Sequence, residues 1–131
     1  HFILTQLEEE GIRIFTQKLT NSYSHYFNIK HEQRDPLFGS KFKAVRVKTQ
    51  DQLIHLSRYI HLNPVTGYLV EDPSEYDYSS YKFYLGKESS DFVDLSDVMI
   101  DFPFSEKYKD FVLNQKDYQR ELAAIKHLIF E

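Results

Sequence analysis

Tyr59 and Asn63 stand one helical turn apart in the run Leu56-Ser57-Arg58-Tyr59-Ile60-His61-Leu62-Asn63-Pro64. Residues at i and i+4 of a helix lie one above the other on the same face. A phenol and an amide oxygen at that spacing converge on one point. Covalent phosphoryl transfer through tyrosine needs such a pairing, with a metal ion beside the attacking oxygen. The same spacing also fits a half-buried core aromatic followed by an Asn-Pro helix stop, so spacing alone leaves both uses open.

The elements that must position this pair can be read around it. Leu53, Ile54, Leu56, Tyr59 and Ile60 recur at helical spacing, and Thr49 or Asp51 can cap the helix, which predicts a helix over 50–62 ended by Pro64. Before it, Lys41 to Thr49 alternates around Ala44-Val45-Arg46-Val47 and reads as a strand. Alternation would put Lys41 and Lys43 on one of its faces and Arg46 and Lys48 on the other. One face then suits a DNA backbone, although lysines also protect edge strands from aggregation. His1-Phe2-Ile3-Leu4-Thr5 reads as a buried strand, and Ile12, Phe15, Leu19, Tyr23, Tyr26 and Phe27 predict a helix over 9–28. A connecting loop follows over 28–39. Val65 to Tyr78 reads as an ordered loop, Tyr81 to Leu85 as a short helix stopped by Gly86, and three further helices are expected over 95–100, 106–113 and 117–129.

Composition bounds what such a site can serve. The 131 residues fit one domain of ordinary globular composition, 41% hydrophobic and 27% charged. The chain has no cysteine, which excludes disulfides and thiolate metal sites. No apolar run approaches the length of a membrane span and no signal-peptide pattern occurs. The chain opens at His1, without Met and directly on an apolar run, as a piece of a longer protein lacking its first elements would. A net charge of −4 argues against a general DNA-binding surface, but residues 1–70 carry +3 and residues 71–131 carry −7. Only the first part would hold a polyanion comfortably. Its cations alternate with rings, as in Lys41-Phe42-Lys43 and Arg58-Tyr59, a mixture suited to single-stranded nucleic acid and equally to a core whose cations snorkel outward.

Several ordered segments together resemble one family. They are Leu37-Phe38-Gly39-Ser40-Lys41-Phe42-Lys43-Ala44-Val45, the helix ending Ile60-His61-Leu62-Asn63-Pro64-Val65, Gly67-Tyr68-Leu69-Val70, Pro73-Ser74-Glu75-Tyr76 and Ser79-Ser80-Tyr81. The family is the single-tyrosine HUH transposases, especially the REP-associated tyrosine transposases, and the resemblance runs from His1 to about Gly86. It implies that Tyr59 is the nucleophile and that Asn63 is a metal-coordinating amide. It also implies that His1 is the second histidine of a His-hydrophobic-His motif, continued by Phe2-Ile3-Leu4-Thr5-Gln6. Gly39-Ser40-Lys41 departs from the commoner Gln-Gly-Arg, with Lys41 keeping the charge.

The resemblance implies an α+β fold, a ferredoxin-like antiparallel sheet with helices on one face, here partly missing at its N-terminus. A partial catalytic domain over 1–86 would precede an acidic helical extension over 87–131. The implied activity is nicking and strand transfer of single-stranded DNA of mobile or repeated elements through a 5′-phosphotyrosine link. Mg²⁺ or Mn²⁺ would be held by His1 and Asn63. The alternative is a DNA-binding remnant that no longer cleaves. Lys41, Lys43, Arg46, Lys48 and Arg58 are the expected DNA contacts. Arg58 could also assist the tyrosine, whose pKa of about 10 makes it a poor nucleophile at neutral pH. His55, one turn before Tyr59, is a possible accessory group, whereas His61 is expected to serve packing or bond a loop. The implied partner is single-stranded or hairpin DNA, with a homodimer possible, no membrane, and a bacterial cytoplasmic, nucleoid-associated location.

Overall fold

A helix needs an apolar stripe and a first-turn partner for its unpaired N–H groups, and Thr49 and Gln52 supply the second of these at the start of the central helix. Thr49 Oγ1 accepts from the Gln52 amide at 3.1 Å, while Gln52 Oε1 accepts from the Lys48 amide at 2.9 Å. In the computed structural model, which describes residues 1–120, this helix lies in the second of two units, His1–Arg46 and Val47–Glu131.

The first unit contains α1, Gly11–Lys30. It starts after Glu10, which sits in the left-handed region at φ 61° and pairs with Arg13. Thr16 and Thr20 return their hydroxyls to the carbonyls one turn back, at 2.7 and 2.8 Å. The expected apolar stripe is present, but no residue of α1 is buried. Its rings contact one another and neighbouring residues at the surface: Phe2 is edge-on to Phe15 at 6.1 Å, Tyr23 is tilted against Phe38 at 6.5 Å, and Phe27 lies against His31 at 4.2 Å.

The second unit is built on α2, Gln50–Thr66. A 3₁₀ turn, Pro73–Glu75, is closed by a capping box between Asp72 and Glu75. After it come α3 (Tyr81–Tyr84), α4 (Ser96–Met99) and α5 (Ser105–Leu113). Gly86 turns the chain after α3 at φ 67°, a conformation that glycine adopts without strain. Leu62, Tyr81, Tyr84, Val98, Phe102, Tyr108 and Val112 form one buried cluster. Tyr84 stacks on Tyr108 at 4.9 Å, and Phe102 meets Tyr108 edge-on at 5.1 Å.

Three expectations are corrected. First, the described residues contain helices and no strand, so the α+β fold with a ferredoxin-like antiparallel sheet does not hold for them. Residues 1–5 and 41–48 lie outside any regular element. Alternation specifies two faces, but a strand exists only where a second chain segment completes its hydrogen-bond ladder, and neither segment meets one. Second, Pro64 does not end the central helix. Proline removes one N–H and crowds the carbonyl four residues back, yet α2 continues to Thr66, with Pro64 itself buried. Close to the end of a helix only one bond is forfeited, and burial of the ring offsets it. Third, α1 begins at Gly11 and ends at Lys30, displaced toward the C-terminus from 9–28. The short helices near 81–85, 95–100 and 106–113 are present, slightly trimmed; the one expected over 117–129 falls largely outside the described residues. Gly86, read as the internal boundary, lies inside the second unit.

Candidate functional site

Ser57, His61, Leu62, Pro64 and Val65 are the buried residues of α2, and they face the aromatic cluster. Turning about 100° per residue, the helix carries Tyr59 and Asn63 on its other side. Tyr59 is 44% exposed, and Asn63 is half-buried. Because α2 runs through Pro64 to Thr66, Asn63 is held in helical geometry one turn beyond the tyrosine rather than at a fraying end. Tyr59 is therefore not a sealed core aromatic.

Two side chains near the C-terminal limit of the described residues hold this stretch of α2. Gln119 Nε2 donates to the Tyr59 carbonyl at 3.2 Å, and the Gln119 residue is 9% exposed. Arg120 Nε donates to the Val65 carbonyl at 3.1 Å, lies over the Tyr68 ring at 4.8 Å and bridges to Glu71 at 3.2 Å. The Arg120 and Lys116 partners hold the Glu71 carboxyl below its usual range. Nothing in the sequence singled out these groups. A glutamine in an acidic, helical stretch has no signature that distinguishes a backbone clamp from a solvated surface.

Arg58 and His55 are drawn into a different contact. The Arg58 guanidinium lies 4.2 Å from the centre of the Phe111 ring, and its Nη1 donates to the Phe111 carbonyl at 3.4 Å. Its Nη2 donates to His55 Nδ1 at 2.7 Å, and His55 Nε2 lies 3.4 Å from an Asp51 oxygen. Burial lowers the Arg58 pKa from its ordinary value. Adjacent positions on a helix diverge, so the cation next in sequence to Tyr59 is spent on α5.

His61 serves packing and bonds a loop. Its Nδ1 meets the Tyr108 hydroxyl at 2.7 Å and its Nε2 meets Ser80 Oγ at 2.9 Å, while Ser57 Oγ shares the same hydroxyl. Burial pushes the His61 imidazole down to about 4 and raises the Tyr108 phenol far above its usual range. With both imidazole nitrogens paired and the Ser57 hydroxyl bonded to Tyr108, these two polar side chains of α2 are satisfied inside the core.

The remaining expected site residues are spread over both units. His1, Lys41, Lys43 and Arg46 belong to the first unit and are exposed; Lys48, also exposed, belongs to the second with Tyr59 and Asn63. Among the described residues no group of three or more His, Asp or Glu side chains gathers where a metal ion could be held. A hard divalent ion takes several oxygen or imidazole ligands, and within the second unit the expected set supplies Asn63 alone. Among the described residues, neither unit by itself offers a complete donor set for Mg²⁺ or Mn²⁺.

No family model matches the chain, and no curated protein or solved structure shows significant similarity to it. No helix of the described residues is long and apolar enough to cross a membrane.

Proposed function

We propose that the chain is a tyrosine-dependent nickase and strand transferase acting on single-stranded DNA of mobile or repeated elements, similar to the REP-associated tyrosine transposases. The observation that carries this reading is the exposure of Tyr59 on the side of α2 turned away from the core, with Asn63 one turn on. The phenol oxygen attacks a backbone phosphorus. The bond from phosphorus to the 3′ oxygen breaks, the departing oxygen gains the proton that the phenol gives up, and the strand is left with a free 3′-OH and a 5′-phosphotyrosine link. The link keeps the energy of the broken bond for rejoining. Lys41, Lys43, Arg46 and Lys48 provide exposed positive charge for the strand's backbone. The reading carries with it a divalent ion, Mg²⁺ or Mn²⁺, a homodimer as an assembled form, and a location in the cytoplasm at the nucleoid.

The test is incubation of the chain with labelled hairpin-ended single-stranded DNA and Mn²⁺ or Mg²⁺, followed by denaturing electrophoresis. A covalent protein–DNA adduct is expected for the wild type, and its loss, by more than about 100-fold, for Tyr59→Phe. Hairpin binding without adduct would favour a DNA-binding remnant that no longer cleaves. Absence of both would refute the DNA reading altogether.

A further inference from the structure

Within the first unit, the second half of α1 and the loop that follows it enclose a groove of about 400 Å³, a size within the range of ligand sites. Asn21, Ser24 and Asn28 line it from the helix, and Arg34, Asp35 and Phe38 from the loop. Asn28 Nδ2 donates to the Asp35 carbonyl at 3.4 Å, which ties the loop to the helix, and Tyr23 packs against Phe38. Phe38 is 49% exposed. The groove thus combines a partly exposed aromatic face, a guanidinium, a carboxylate and two side-chain amides.

That combination selects among ligands. A bare phosphate would suit Arg34 but be repelled by Asp35. A purely apolar ligand would leave both charges and the amides without partners. A nucleotide uses all of them: a flat base for Phe38, an anionic phosphate for Arg34, and an amino group for Asp35 to accept from. Lys41 and Lys43, both exposed, follow closely in sequence on the lining residue Ser40 and add positive charge next to it. We propose that this groove takes one nucleotide of a DNA single strand, with the base stacked on Phe38, a base amino group donating to Asp35, and the neighbouring phosphate paired with Arg34. The inference rests on DNA being the ligand and not on cleavage at Tyr59. It adds base selectivity, because thymine has no exocyclic amino group to offer Asp35.

The experiment measures binding of the full chain to fluorescent twelve-residue oligonucleotides by anisotropy, at several salt concentrations. Oligo-dC is expected to bind more tightly than oligo-dT. Phe38→Ala should weaken binding about 5- to 100-fold, the usual cost of losing one stacked base, while Phe38→Tyr retains it. Arg34→Ala should weaken binding to both oligonucleotides and reduce the salt slope by about one unit. Asp35→Ala, which removes the acceptor, should abolish the preference for dC without weakening dT binding. All three positions are on the surface, and circular dichroism checks that α1 keeps its helicity. Wild-type affinity in both Phe38→Ala and Arg34→Ala would overturn the proposal, as would equal binding of dC and dT by the wild type. Loss of binding in Phe38→Ala with no adduct from the wild type would uphold the groove and refute cleavage. Full adduct formation and DNA binding in the groove variants would do the reverse.

Discussion

The two units contain helices of comparable length and comparable amphipathic pattern, yet among the described residues the buried cluster lies in the second alone. On α2 the apolar side meets α4, α5 and the 3₁₀ turn, and Leu62 and Val65 are fully buried. On α1, among the described residues, the same kind of stripe is left largely exposed, and Phe15, Leu19, Tyr23 and Tyr26 each keep more than a third of their surface in solvent. The difference shows that periodicity specifies which side of a helix seeks burial, while the elements arriving from elsewhere in the chain decide whether burial happens. Most helical stability in proteins comes from such packing rather than from propensity.

The largest test of this contrast is amide hydrogen exchange. The central amides of α2 should be protected to the level of global unfolding, several kcal/mol, and those of α1 should exchange orders of magnitude faster. Equal protection in the two helices would break the comparison. Next comes Tyr108→Ala. It opens a cavity in the buried cluster and removes the hydroxyl that His61 and Ser57 share. A loss of about 3–5 kcal/mol in denaturant unfolding of the second unit is expected.

The pH dependence follows in size. The folded His61 pKa of about 4 lies below its ordinary value of 6.5, so the unfolded state binds the proton more readily. Stability from this group is full above pH 6.5, falls as the pH drops toward 4, and levels off below that. The total is up to about 3 kcal/mol. Thermal unfolding between pH 7 and 4 should show this slope in the wild type, and His61→Gln should flatten it. Smallest is Leu19→Ala on α1. With 38% of the residue still exposed and no packed cavity to leave behind, it should cost less than about 1 kcal/mol by the same denaturant measurement. A cost equal to that of Leu62→Ala would mean that α1 has a packed face after all.

Some of the candidate site was legible in the chain. Tyr59 and Asn63 share a turn because helical geometry is local, and the Thr49 cap and apolar spacing announce α2. His61 could be set apart from the pair because two residues around a helix point elsewhere. Arg58 was less legible: its neighbour in sequence is Tyr59, but its partner in space is Phe111, far along the chain on α5. Gln119 and Arg120 were not legible at all, since their acceptors are backbone carbonyls of α2, and backbone groups leave no mark on sequence pattern. The strands read over 1–5 and 41–49 failed for a related reason. Their alternation is a property of the segment, while a ladder is a property of two segments.

What the order of residues determined by itself is local: where helices start, which sides are apolar, that a phenol and an amide share one turn, and that no thiol is available. Tertiary structure alone decided that α2 continues through Pro64, because the ring's burial offsets the lost hydrogen bond. It also decided that His61 stays neutral within a bonded core while Tyr59 stays partly in solvent, and that the stripe on α1 is left largely exposed among the described residues. Each of these depends on contacts between residues distant in the chain, and burial and hydrogen bonding across such distances carry no local signature.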